Sequence, residues 1–146
     1  SKSPLPQPEA KGNWEGPPMI SARMEGPLQG LTVYGVHTTR FPHSRAQLHQ
    51  VDALVRHLES ASGKMIMMGD FNATPFSRVT GIVEQGLGMN RLTELPTWPS
   101  AVELPQLAID HIFATQGIRV LAKQQIGKPS GSDHYPIVMT LGVDVQ

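Results

Sequence analysis

Apolar residues recur at Leu48, Val51, Leu54, Val55 and Leu58, a spacing of three and four that places them on one face of a helix. Ser44 stands ahead of them with Gln47 three positions on, a capping-box pattern that predicts the helix start, and Gly63 predicts its stop. Lys64-Met-Ile-Met-Met68 follows at once, a short apolar run between glycines that predicts a strand buried on both faces. Upstream, the weak alternation of Met19 to Met24 and the run Leu31 to Val36, separated by Gly26, Pro27 and Gly30, predict a hairpin ending at His37. Thr74 and Pro75 predict the cap and first turn of a second helix running through Val79, Ile82 and Val83 to Gly86 or Gly88. Leu107 to Ala114, Ile118 to Gln124 and Ile137 to Val143 have strand content, and Asn90 to Gln106 reads as a long loop.

Residues 1–18, rich in Pro, Gly, Lys and Glu, offer too little apolar surface to offset the entropy of ordering, so they read as a flexible or loop-like arm ahead of a folded part at 19–146. The mixture of strands and helices gives an α/β class. At 146 residues and 39% apolar content the chain supports one domain with a modest core. Lys plus Arg and Asp plus Glu number 12 each, so no overall field holds a long polyanion and nucleic-acid binding would have to be local. The absence of cysteine excludes disulfides, thiolate metal sites and a cysteine nucleophile. No apolar run approaches the roughly 20 residues of a spanning helix, and the first residues lack the pattern of a signal peptide.

Four clusters carry candidate chemistry. Gly69-Asp70-Phe71-Asn72-Ala73 places an acid and an amide two residues apart beyond a predicted strand, on one side of an extended segment. The carboxylate can orient a water or neutralise a metal and the amide can donate to a phosphate oxygen; the same pair also suits a turn and a helix cap. Ser132-Asp133-His134-Tyr135-Pro136, after a glycine-rich approach, sets an acid beside an imidazole. Histidine suits general-base work and aspartate a hard cation such as Mg²⁺, although an isolated Asp-His pair is also an ordinary surface loop. Asp110 and His111 interrupt an apolar strand and must face opposite sides. Asp110 is the natural partner to fix the tautomer of His134, which leaves His111 structural or solvent-facing. His37 ends a strand, and Arg40, His43 and Arg45 after it form either a cationic rim for phosphate or a solvated loop.

Taken in order, Val36-His37-Thr38, Gly69 to Ala73, Ile109-Asp110-His111 and Gly131 to Pro136 resemble the later motifs of the endonuclease/exonuclease/phosphatase family. That family includes pancreatic-type deoxyribonucleases, apurinic-site endonucleases, inositol-polyphosphate phosphatases and sphingomyelinases. The resemblance implies phosphoester hydrolysis dependent on Mg²⁺ or Mn²⁺, with a nucleic acid, phospholipid or small phosphate ester as substrate. It makes His134 the general base, Asp110 the carboxylate that orients it and Asp133 a metal ligand. Asp70 and Asn72 would position the nucleophile or stabilise the transition state, and His37 would contact the phosphate.

The implied fold is the C-terminal half of a four-layer α/β sandwich, a mainly antiparallel or mixed sheet flanked by helices. Family members carry a metal-binding glutamate upstream of these motifs, and Glu9, Glu15 and Glu25 do not stand in that context. The resemblance therefore implies a partner for the open sheet face: the N-terminal half of the domain or a second copy of the chain. By itself the chain would be inactive or impaired, and its alternative role is that of a noncatalytic half-domain or assembly module. Leu95-Pro-Thr-Trp-Pro99 followed by Leu107-Ala-Ile-Asp110 resembles a bacterial membrane-anchored subgroup that includes YafD-like and VanJ-like proteins, whose catalytic domain lies outside the cytoplasm. This segment itself would make no membrane contact. A serine hydrolase using Ser132, His134 and Asp110 lacks the Gly-x-Ser-x-Gly elbow.

Overall fold

The computed structural model describes residues 9–10, 14–40, 42–102, 106–122, 125–128 and 131–144. Its centre is a six-stranded mixed sheet in the order β1-β2-β3-β4-β6-β5. The strands are β1 (Glu9–Ala10), β2 (Met19–Arg23), β3 (Leu31–His37), β4 (Lys64–Asp70), β5 (Asn90–Arg91) and β6 (Asp110–Ala114). The β2–β3 hairpin forms around a 3₁₀ turn at Gly26–Leu28, where Pro27 sets the backbone. β3 and β4 run parallel, which requires a crossover, and α1 (Ser44–Leu58) supplies it. β4 then pairs antiparallel with β6.

Val51, Leu54 and Leu58 of α1 are buried, as are Val79 and Val83 of α2 (Arg78–Leu87). They pack with Tyr34, Val36, Met65, Met67, Phe71 and Phe113 into the main core, so both helices cover one face of the sheet. A second cluster on the other face gathers Leu31, Ile66, Ala114 and Ile118, with Leu141 and Val143 against it. Those last residues belong to the small antiparallel pair β7 (Ile118–Val120) and β10 (Leu141–Val143). A further pair, β8 (Gln125–Ile126) and β9 (Ile137–Val138), lies between them in sequence. In the middle of that second face Ile20 and Met68 stay 55% and 37% exposed.

Several boundaries differ from the sequence pattern for identifiable reasons. The N-cap of α1 is His43, with no side-chain cap bond, and Gln47 turns inward instead of completing a capping box at Ser44. The second helix starts one turn late, because Ser77 rather than Thr74 is its cap and accepts from Thr80 N at 3.3 Å. It ends on Gly88 in the left-handed conformation that favours glycine. β4 is not closed on both faces, since Met68 reaches solvent.

The expected strand from Leu107 begins only at Asp110, Leu107 making an isolated bridge to Trp98. Ile118 to Gln124 is regular only over Ile118–Val120, with 123 and 124 outside the described residues. Ile137 to Val143 splits into β9 and β10 at Met139 and Thr140. The stretch from Asn90 to Gln106 holds β5 rather than loop alone. The N-terminal arm is likewise not loop throughout: β1 pairs with β2, and the Trp14 ring meets His57 edge-on at 5.2 Å.

Leu54 is fully buried between α1 and the sheet. Leu54→Ala is expected to cost about 2–5 kcal/mol, measured as a lower denaturant midpoint with little change in slope.

Candidate active site at the β3, β4 and β6 ends

The register places His37 opposite Asp70 and Asp70 opposite Asp110, so the ends of three neighbouring strands present their side chains in one row on the same face. Gly69 makes this possible. Its φ is +147°, and a Cβ there would sit 1.9 Å from the Val36 carbonyl oxygen, so a side chain would force β3 and β4 apart at the site. Asn72 lies just beyond, with φ of 46°, a left-handed conformation that asparagine tolerates. Its backbone N–H donates to Asp70 Oδ1 at 2.8 Å, and its Nδ2 donates to Asp70 Oδ2 at 3.1 Å and to the Thr38 carbonyl at 2.9 Å.

His134 comes from the loop before β9. Its Nδ1 is 2.8 Å from Asp110 Oδ2, while Nε2 is 3.9 Å from Asp70 Oδ2. His37 Nε2 lies 3.7 Å from the same Asp70 oxygen. Asp133 is exposed and accepts at Oδ2 from Trp98 Nε1 at 3.3 Å, and Arg40, His43 and Arg45 are exposed beyond β3. Asp70, Asp110 and His134 form the group, among the described residues, whose ligand atoms all fall within 4.8 Å of one another. Asp133 is not a member of it. Two surface grooves around Gly26, Gly30 and Leu31 lie at the opposite end of β3 and include none of these residues.

The sequence model of the Endonuclease/Exonuclease/phosphatase family matches residues 1–134. This chain belongs to that family. No curated protein matches it. The human Nocturnin catalytic domain with bound sulfate superposes with a TM-score of 0.72 at 16% identity, over 97% of this chain and 60% of that one. A mannosyl-6-phosphatase of Bacteroides thetaiotaomicron gives 0.67 at 12% identity, over 95% and 67% of the two chains. A double variant of the Staphylococcus aureus beta toxin with bound magnesium ions gives 0.59 at 15%, over 83% and 56%. The fold is therefore the α/β fold of this family, and the chain spans about three fifths of the length of such neighbours.

The electrostatics follow from the crowding of these side chains. Burial raises the Asp70 pKa; the Asn72 hydrogen bond opposes that, the charge of Asp110 adds to it, and the two histidines lower it. Desolvation pulls the His134 pKa down, but the hydrogen bond and charge of Asp110, with the charges of Asp70 and Asp133, outweigh it and hold the imidazolium above its ordinary range.

His111 points to the helix side of the sheet and is only 1% exposed. Its Nε2 lies 2.7 Å from the Ala73 carbonyl and Nδ1 3.4 Å from Thr93 Oγ1, so it ties β6 to the loop that follows Asp70. It is structural, and not solvent-facing.

Two supporting residues escaped the sequence reading. Gln47 is buried and donates from Nε2 to the carbonyls of Phe71 at 2.9 Å and Asn72 at 3.1 Å, fixing the loop that carries Asp70 and Asn72. The signal was there, since Gln47 precedes Val51 by four on the apolar stripe of α1. Thr97 donates to Asp110 Oδ2 at 2.5 Å. Thr97 lies in the Leu95 to Pro99 segment that the subgroup resemblance links with Asp110, but nothing there assigned it a role toward that carboxylate.

Burial, with a smaller opposing contribution from the Ala73 carbonyl, lowers the His111 pKa. Below the ordinary imidazole value of about 6.5 the unfolded chain therefore binds this proton more readily than the folded one. The stability due to neutral His111 is present above that pH and is lost as pH falls toward the depressed value. Tm measured from pH ~7 down to pH ~5 should fall less steeply in His111→Gln than in the parent, and parallel slopes would show that His111 does not titrate on unfolding.

Proposed function

We propose that this chain carries the general-base side of a divalent-metal-dependent phosphoester hydrolase, and that full activity belongs to a polypeptide that also includes the rest of the domain. One observation carries the reading: the His134 ring is tied through Nδ1 to Asp110 while Nε2 faces Asp70 at 3.9 Å. Neutral His134 takes a proton from water at Nε2 as the water oxygen attacks phosphorus and the ester P–O bond breaks. Asp110 keeps the other proton on Nδ1 and stabilises the imidazolium that forms. Asp70, held by two donors from Asn72, lies where it can align the water. His37 faces charge that develops on the phosphoryl oxygens, while Asn72, whose amide hydrogens go to Asp70 and the Thr38 carbonyl, acts by holding Asp70 in place.

The donor set fits a hard cation such as Mg²⁺ or Mn²⁺, being rich in carboxylate oxygen and free of thiolate. Asp110 is committed to His134 and Thr97, so Asp70 and Asp133 are the carboxylates open to such an ion. When bound, the ion supplies Lewis acidity toward the phosphoryl oxygens. A nucleic acid, a phospholipid or a small phosphate ester all present the same phosphoester to these groups.

A second reading rests on the sheet face left open at Ile20 and Met68. There the chain acts as a noncatalytic half-domain that assembles with the N-terminal half of the domain or with a second copy. Millimolar Mg²⁺ separates the two: an ion that binds the folded chain raises Tm, by mass action, and no shift favours the half-domain.

In a protein that contains the complete domain, His134→Ala and Asp133→Ala are each expected to lower hydrolysis of bis(p-nitrophenyl) phosphate by about 100-fold or more. Chelation of divalent ions should abolish it. Undiminished metal-dependent turnover in both variants would sink the hydrolase assignment.

A further inference from the structure

Asp110 Oδ2 accepts two hydrogen bonds, from His134 Nδ1 at 2.8 Å and from Thr97 Oγ1 at 2.5 Å. A carboxylate oxygen has two lone pairs in its plane, so both are in use and the group cannot turn without breaking one bond. Thr97 is itself fixed. It is fully buried, its N–H donates to the Leu107 carbonyl at 2.9 Å, and its own carbonyl accepts from Tyr135 N at 2.8 Å. It therefore straps together the segment leading into β6, which carries Asp110, and the loop that carries His134. The neighbours reinforce the strap: Trp98 Nε1 donates to Asp133 Oδ2, and Ser100 N donates to the Asp133 carbonyl at 2.7 Å.

His134 stands between two carboxylates, with Asp110 on Nδ1 and Asp70 at 3.9 Å from Nε2. Only Nδ1 has a carboxylate oxygen within hydrogen-bond distance; Asp70, at 3.9 Å, lies beyond it but near enough to attract a proton on Nε2, and only the Nδ1–H tautomer leaves Nε2 with a free lone pair. The Nδ1–H form is useful as a base; the Nε2–H form is not. Asp110 selects the useful form only while its Oδ2 stays aimed at Nδ1.

We infer that Thr97 is a positioning residue, whose hydroxyl holds the Asp110 carboxylate so that His134 keeps its proton on Nδ1 and presents Nε2 to the reacting water. The inference rests on the reading of His134 as base and adds the group that decides its tautomer. Asp70 gives the strap its consequence, because its charge 3.9 Å from Nε2 favours a proton on the wrong nitrogen once the Asp110 oxygen turns away from Nδ1.

The test is the ¹⁵N NMR signature of the His134 ring at a pH where the imidazole is neutral, in Mg²⁺-free buffer. The parent should show the proton on Nδ1. Thr97→Val, which keeps the shape and removes the donor, should raise the Nε2–H fraction about tenfold, the worth of one hydrogen bond to a charged group. Thr97→Ser should restore the parental signature, which a purely steric role would not do. If the valine variant fails to fold, Thr97→Ala removes the same donor without adding a methyl beside the carboxylate. A parental signature in the folded valine or alanine variant overturns the inference.

Kinetics in the complete domain separate it from the reading it rests on. Thr97→Val should lower kcat about 10- to 100-fold with KM nearly unchanged. A tautomer shift in a protein with no phosphoesterase activity would remove the hydrolase reading and leave the Thr97–Asp110 coupling standing. Normal turnover with an unshifted tautomer in Thr97→Val would remove the inference and leave the hydrolase.

Discussion

The pairing of β4 with both its neighbours fixes where the candidate site stands. Parallel to β3 on one side and antiparallel to β6 on the other, β4 brings His37, Asp70 and Asp110 abreast at one end of the sheet. A slip of one residue in either pairing would turn an acidic side chain into the helix-facing core and an apolar one out. Register is therefore defended by the core: Tyr34, Met65, Met67 and Phe113 occupy the face beneath α1 and α2, and the carboxylates fall on the other face by alternation. The close approach of Gly69 to Val36 is the local condition for that row.

The strands hold Asp70 and Asp110, but the site is completed by segments without regular structure. Trp98 to Ser100 and Ser132 to Tyr135 are bound to each other by main-chain and side-chain hydrogen bonds, including Tyr135 Oη to the Ser100 carbonyl at 3.2 Å. Hydrogen bonds of this kind fix position more than they add stability, since each replaces a bond to water. The buried Gln47 and His111 do the same for the Phe71 to Ala73 turn from the helix side. A network of polar groups in low dielectric is costly when one partner is missing, so the loops are held in one arrangement.

The two faces of the sheet differ in completeness. The helices close one face, whereas Ile20 and Met68 remain partly open on the other, beside the small β7–β10 pair. The chain's coverage of only 60% of the Nocturnin domain agrees with a fold that continues beyond these residues in its neighbours. Asp70 and Asp110 are crowded among His37 and His134 at the edge of that open face, and the charge of Asp110 adds to the burial that raises the Asp70 pKa.

Periodicity in the sequence was enough for α1, for the β2–β3 hairpin and for the apolar run of β4, because their apolar spacing matches the geometry of one element and needs no partner to be recognised. The acids and histidines at 37, 70, 110 and 134 also stood out locally, His37 and Asp70 at strand ends, Asp110 inside an apolar run and His134 after a glycine-rich approach. Boundaries were less legible: Ser77, a second capping residue three positions on, accepts from Thr80 N in place of Thr74, and Gln47 left its apparent capping box because the distant carbonyls of Phe71 and Asn72 took its donor. What only the folded chain decided is distance. That Asp110 meets His134 and Thr97 across 24 and 13 residues, and that Asp70 faces the other ring nitrogen, follows from strand register and loop closure, which no local spacing encodes.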